Sequence, residues 1–108
     1  MDYKHRRQLL KKKLRRNKID ALLVSQPENR RYLSGYSAQD HTINESSGFL
    51  YIPARGKSLL LTDFRFKLQA ESETDLPVQL YTKGMVSLLR QLIAASAIKR
   101  FAFESHYT

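Results

Sequence analysis

The stretch "IDALLVSQPENRRYLSGYS", residues 19–37, decides the fold. It opens on an apolar run, Ala21 to Val24, that reads as a buried strand over Ile19 to Ser25. Punctuation follows at once. Ser25 or Gln26 suits a helix cap, Pro27 the first helical turn, and Glu28 the positive end of the helix dipole. Tyr32 and Leu33 are expected to pack inward, and Gly35 to end the helix. A buried strand feeding a short helix is the start of an α/β layer.

The segment before this stretch reads as a helix over about residues 3–17, with Tyr3, Leu10 and Leu14 on one stripe and Leu9 beside it. Asn17 suits the left-handed conformation that stops a helix, with cations in the last turn against the dipole. After it, Tyr36 to Gly48 has no periodicity and is rich in Ser, Asn, Asp and His. A polar loop of about a dozen residues in a small domain is often functional.

Phe49 to Ile52 and Ser58 to Thr62 read as strands of a hairpin turning at Gly56. Thr62 or Asp63 caps a helix over 64–73, with Phe64 and Leu68 on one face. A strand at Val78 to Tyr81, a helix over 85–96 with an apolar 3.6-residue period, and a strand at Arg100 to Glu104 complete the chain. The order α-β-α-β-β-α-β-α-β predicts an α/β domain over residues 1–108: a single mixed sheet of about five to six strands flanked by helices.

The net charge of +9 raises the question of nucleic acid. Residues 1–18 hold nine basic side chains against one Asp, a net of +8, and the other ninety residues are nearly neutral. One charged helix therefore explains the excess. Its bland reading is a solvated face whose aliphatic stems cover apolar surface. No aromatic residues for base stacking are interleaved there, so nucleic acid is the weaker reading, as a stand-alone basic binding module. There is no cysteine. No apolar run approaches the ~20 residues that span a bilayer, and the basic N-terminus lacks a signal-peptide core. Both absences favour the cytoplasm.

Candidate chemistry is sparse. Asp40, His41 and Glu45 share the long loop, but "DHTINE" matches no metal-ligand spacing. The alternatives are solvated loop residues or contacts to a charged substrate group. Glu104 and His106 form a second carboxylate–imidazole pair, best read as surface residues, and His5 is expected to face solvent. No Gly-rich phosphate loop and no nucleophile elbow is present.

Three segments taken together resemble the N-terminal domain of the creatinase, prolidase and aminopeptidase P family. They are "IDALLVSQPENRRYLSGYS", "ESSGFLYI" and "LLLTDFRFKLQAESE". The first holds a P-x-N-x-x-Y-L-(S/T)-G pattern at Pro27, Asn29, Tyr32, Leu33, Ser34 and Gly35. The third holds TD-x-R-(Y/F)-x-x-Q-A at Thr62, Asp63, Arg65, Phe66, Gln69 and Ala70.

The resemblance implies a ribonuclease-H-like fold without that enzyme's acidic metal site. It implies a following "pita-bread" domain in which two Asp, one His and two Glu hold two divalent ions (manganese, cobalt or zinc) that activate water to cut peptide bonds before proline. None of those ligands can be placed on this chain, so the expectation is a non-catalytic fragment with no catalytic or metal-ligating residues of its own. Its implied partners are that C-terminal domain, a second copy in a homodimer, and a proline-containing peptide. Its substrate-access residues would be Tyr36, Asp40 and His41. A parent of the creatinase type, an amidinohydrolase, is the alternative within the family. The loop "YSAQDHTINESSG" is longer and more polar than the family's usual link.

Overall fold

Ala21–Val24 forms β1, and a sheet is built outward from it on both sides. The computed structural model describes residues 2–37, 48–82, 84–95 and 98–103. Among these, helix α1 is Tyr3–Arg16, α2 Pro27–Ser34, β2 Phe49–Pro53, β3 Leu59–Thr62, α3 Lys67–Glu73, β4 Val78–Leu80, α4 Met85–Ala95 and β5 Phe101–Phe103. A single 3-10 turn, Phe64–Phe66, precedes α3.

The five strands lie in the order β4-β3-β2-β1-β5. β1 is antiparallel to β2, with Leu22 opposite Ile52, and parallel to β5, with Leu22 opposite Ala102. β3 is antiparallel to β2 and parallel to β4. Four strands therefore run one way and β2 runs against them. The sheet is mixed and the helices flank it, as the sequence pattern requires.

Alternate residues of the central strands feed two cores. Val24, Leu50, Ile52 and Leu60 pack with Leu14, Leu33 and Ala70, so α1, α2 and α3 cover one face. Ala21, Leu23, Tyr51 and Leu61 pack with Leu89, so α4 covers the other. Asp20 pins β5 to β1: its Oδ2 accepts from the backbone N–H groups of Lys99 and Arg100, each at 2.9 Å.

Several local expectations shift. The left-handed residue after α1 is Lys18 (φ 59°), while Asn17 keeps a negative φ. Tyr32 is 57% exposed and does not pack inward. The Arg6 guanidinium lies 4.2 Å from its ring centroid and donates to its carbonyl at 2.8 Å, so a cation covers the ring. Phe64 and Leu68 are 80% and 82% exposed. The helix read over 64–73 is a 3-10 turn over Phe64–Phe66 followed by an α-helix from Lys67.

Candidate functional site

The polar loop leaves and re-enters the fold at the edge where β1 and β3 end and β2 begins. In open α/β sheets, ligand sites gather at the carboxyl ends of strands. The loop's two feet are described, Tyr36–Ser37 on one side and Gly48 on the other. Asp40, His41 and Glu45 lie outside the described residues, as do Glu104 and His106. His5 is exposed as expected, and its backbone N–H donates to the Asp2 side chain at the start of α1.

The first foot is set by α2. Gly35 stops that helix in the left-handed region at φ 83°, its N–H donating to the Arg31 carbonyl at 2.8 Å. A β-carbon there would lie 2.9 Å from both the Glu73 carbonyl oxygen and the Tyr3 ring, so only glycine fits between α1 and α3. Ser34 Oγ donates to the Arg30 carbonyl at 2.6 Å and accepts from the Tyr36 N–H at 3.1 Å. Tyr36 itself is fully buried. Burial pushes its phenol up to about 12, even though a hydrogen bond with the Thr62 side chain and the nearby Arg30 charge pull the other way.

The second foot is held from the same helix. Arg30 is fully buried, and its Nη1 donates to the Gly48 carbonyl at 2.6 Å. Its guanidinium lies 5.3 Å from the Tyr36 ring centroid. A β-carbon on Gly48 would meet the Leu61 carbonyl oxygen at 3.1 Å and the Tyr36 ring at 3.3 Å. One arginine thus holds both ends of the loop together.

A third tie comes from α3. The Glu73 carboxylate accepts from the Ser37 N–H at 2.8 Å and from Ser37 Oγ at 2.8 and 3.0 Å. Burial tends to raise the Glu73 carboxyl, but the Ser37 hydrogen bonds, with the Gln69 side chain and the Arg31 charge, bring the net shift downward. At the end of β3, Asp63 caps the 3-10 turn by accepting from the Arg65 N–H at 2.9 Å. It also pairs with the Arg65 guanidinium at 2.8 Å.

The quoted sequence patterns therefore serve the loop's base: Ser34 and Gly35 from one, Thr62 from the other. Arg30 and Glu73 were not foreseen. Charged side chains read as surface residues, and no local spacing announces a carbonyl partner 18 positions away.

Among the described residues no group of three or more His, Cys, Asp or Glu could hold a metal ion. Among them, no helix is long and apolar enough to cross a membrane.

Residues 6–108 match the family described as Creatinase/Prolidase N-terminal domain. The chain belongs to that family. Solved structures resemble this creatinase/prolidase N-terminal domain as well. The N-terminal domain of cytoplasmic peptidase PepQ from Mycobacterium tuberculosis H37Rv is 32% identical, with a TM-score of 0.78 over 94% of this chain and 74% of that one. An X-Pro aminopeptidase from Thermotoga maritima is 29% identical at a TM-score of 0.66, covering 80% of this chain and 24% of that one. An Xaa-Pro dipeptidase from Bacillus anthracis shares the fold at a TM-score of 0.81 and 17% identity, covering 94% of this chain and 27% of that one. The domain spans about a quarter of the length of these last two chains. No curated protein matches it.

Proposed function

We propose that this creatinase/prolidase N-terminal domain performs no chemistry itself and serves a proline-directed metallopeptidase by shaping substrate access and assembly. In this reading the 108 residues work beside a C-terminal pita-bread domain of a longer chain, in the cytoplasm and as a homodimer. The two divalent ions, manganese, cobalt or zinc, belong to that other domain. The polar loop reaches toward its metal centre, where Asp40 attracts the free amine of a proline-containing peptide and His41 hydrogen-bonds its backbone.

The observation that carries the reading is the loop's base. Arg30, Glu73, Gly35 and Gly48 fix the two feet of the polar segment at the carboxyl edge of the sheet. Such a base has a use if the segment must reach a fixed point outside the domain. Phe64 and Leu68, exposed just beyond β3, offer apolar surface to a neighbouring domain. The family and the Xaa-Pro peptidases among the similar structures supply the reaction class.

The basic helix favours this reading over nucleic-acid binding. Arg6, Arg7, Lys11 and Arg15 donate to the carbonyls of Tyr32, Leu33, Gly56 and Ala54, so much of its charge is turned onto the domain itself.

The test is kinetic. In the longer peptidase, Asp40→Ala and His41→Ala should each raise KM for an Xaa-Pro peptide more than they lower kcat, the mark of uniform binding. Unchanged kinetics in both variants remove the loop from the site.

A further inference from the structure

A second cationic feature lies at the opposite end of the sheet from the polar loop. Between α1, the β2–β3 turn and the segment that enters β4 there is a polar cavity of about 260 Å³. Lys4, Arg7, Lys11, Lys57, Ser58 and Asp75 contribute to its lining. Four cations thus face one carboxylate, and that carboxylate is already committed. Asp75 Oδ2 accepts from Arg7 Nη2 at 2.8 Å, and Arg7 Nη1 donates to the Leu33 carbonyl at 2.9 Å.

The three lysines keep donor capacity. An ammonium carries three protons, and Lys11 donates to the Gly56 carbonyl. Lys4 and Lys57 are exposed. Lys11 is also crowded: burial, then the charges of Arg7 and Arg15, depress its pKa below the ordinary lysine value. An anion beside it would offset both effects.

Ser58 lines the same cavity and adds an independent sign. It is 6% exposed, and among the described residues its Oγ has no hydrogen-bond partner. A buried hydroxyl left without a partner is costly, and native folds rarely leave one so without a reason. A water's share of liquid volume is ~30 Å³, so the cavity has room for a phosphoryl group and part of its hydration.

We propose that this cavity binds a small multivalent oxyanion of the phosphate type, held by the ammonium groups of Lys4, Lys11 and Lys57 with Ser58 donating a hydrogen bond. The site is separate from the loop base and does not depend on the peptidase reading. It turns α1, Lys57 and the β4 entry into one unit that an anion tightens.

The test titrates inorganic pyrophosphate into the isotopically labelled 108-residue chain at low ionic strength and follows backbone amide shifts. Saturable shifts are expected at Lys11, Lys57 and Ser58. Lys4→Gln combined with Lys57→Gln should weaken binding about tenfold or more, the worth of one to two charge-assisted hydrogen bonds. Ser58→Ala should weaken it about threefold to tenfold while leaving the charge intact. Lys12→Gln combined with Arg16→Gln, exposed positions outside the cavity lining, should leave binding within about twofold. The proposal is overturned if no shift saturates, or if the Lys12/Arg16 pair matters as much as the Lys4/Lys57 pair. It is also overturned if a short DNA duplex binds more tightly than pyrophosphate, which would make phosphate contact a property of the whole helix.

Discussion

Arg30 Nη1 donates to the Gly48 carbonyl at 2.6 Å, joining the second helix to the residue where the polar loop returns to the sheet. The guanidinium is fully buried and lies near the Tyr36 ring at the loop's other foot. Replacing Arg30 with Met keeps much of the volume and leaves the carbonyl without its partner. The expected loss of stability is ~3 kcal/mol, from a buried charge-assisted hydrogen bond and lost ring contact. Arg30→Lys should lose a comparable amount, because an ammonium cannot present the planar fork. Urea unfolding of both variants checks this, and a loss under ~0.5 kcal/mol would show that the clamp is not structural.

Gly35→Ala tests the first foot. The residue sits at φ 83°, and its β-carbon would meet the Glu73 carbonyl oxygen at 2.9 Å. Left-handed backbone costs a non-glycine residue about 1–2 kcal/mol, and the clash with backbone adds to it. A total loss of ~2–3 kcal/mol is expected in the same unfolding experiment. A neutral effect would mean that α2 and α3 separate easily.

Arg7 and Asp75 should respond unequally. Arg7 is buried and serves both the Leu33 carbonyl and Asp75, whereas the Asp75 side chain is 57% exposed. Arg7→Met should cost ~2 kcal/mol by leaving an inward carbonyl without its donor. Asp75→Asn should cost less than ~1 kcal/mol, since solvent screens an exposed pair. Thermal melts of the two variants settle the ranking, and equal losses would contradict it.

How much of this was legible depended on where each signal resides. Strands announced themselves through short apolar runs, α4 through its period, and the end of α2 through Gly35, because these signals are local. Arg30 and Arg7 gave none. Their partners are carbonyls 18 and 26 positions away, and an arginine's charge points a reader to the surface. The start of α3 was missed for a different reason: Phe64–Phe66 closes into a 3-10 turn capped by Asp63, and the α-helix begins only at Lys67. Leu9, placed beside the buried stripe of α1, is 55% exposed, since Leu10 and Leu14 already meet the sheet-side core. The loop's length was plain in the sequence, but the base that holds it was not.

Stability should fall at both ends of the pH scale. The carboxyls of Asp75, Asp63, Asp20 and Glu73 all sit below their ordinary values. The Arg7 hydrogen bond is the main cause at Asp75, and the Arg100 and Lys99 N–H groups at Asp20. With folded values depressed, the unfolded chain takes up protons first as pH drops. The stabilisation is therefore complete above the unfolded values, 3.8 for Asp and 4.5 for Glu, and is lost as pH falls through the folded ones. Tyr36 works in the opposite sense at high pH. Its folded value near 12 exceeds the ordinary 10.0, so the unfolded chain ionises first and stability declines between those values. Denaturation midpoints from pH 2 to 12 should trace both limbs, about flat between pH 6 and 9. Asp75→Asn should flatten the acid limb and Tyr36→Phe the alkaline one, and a variant with an unaltered limb would refute that residue's share.

The most direct measurement is a peptidase assay on the pure 108-residue chain, with Xaa-Pro dipeptides and longer Xaa-Pro peptides and with manganese, cobalt or zinc supplied in turn. A domain that only shapes access should give no turnover above the metal-only control. Reproducible, protein-dependent cleavage before proline would place the chemistry on this chain and contradict the account.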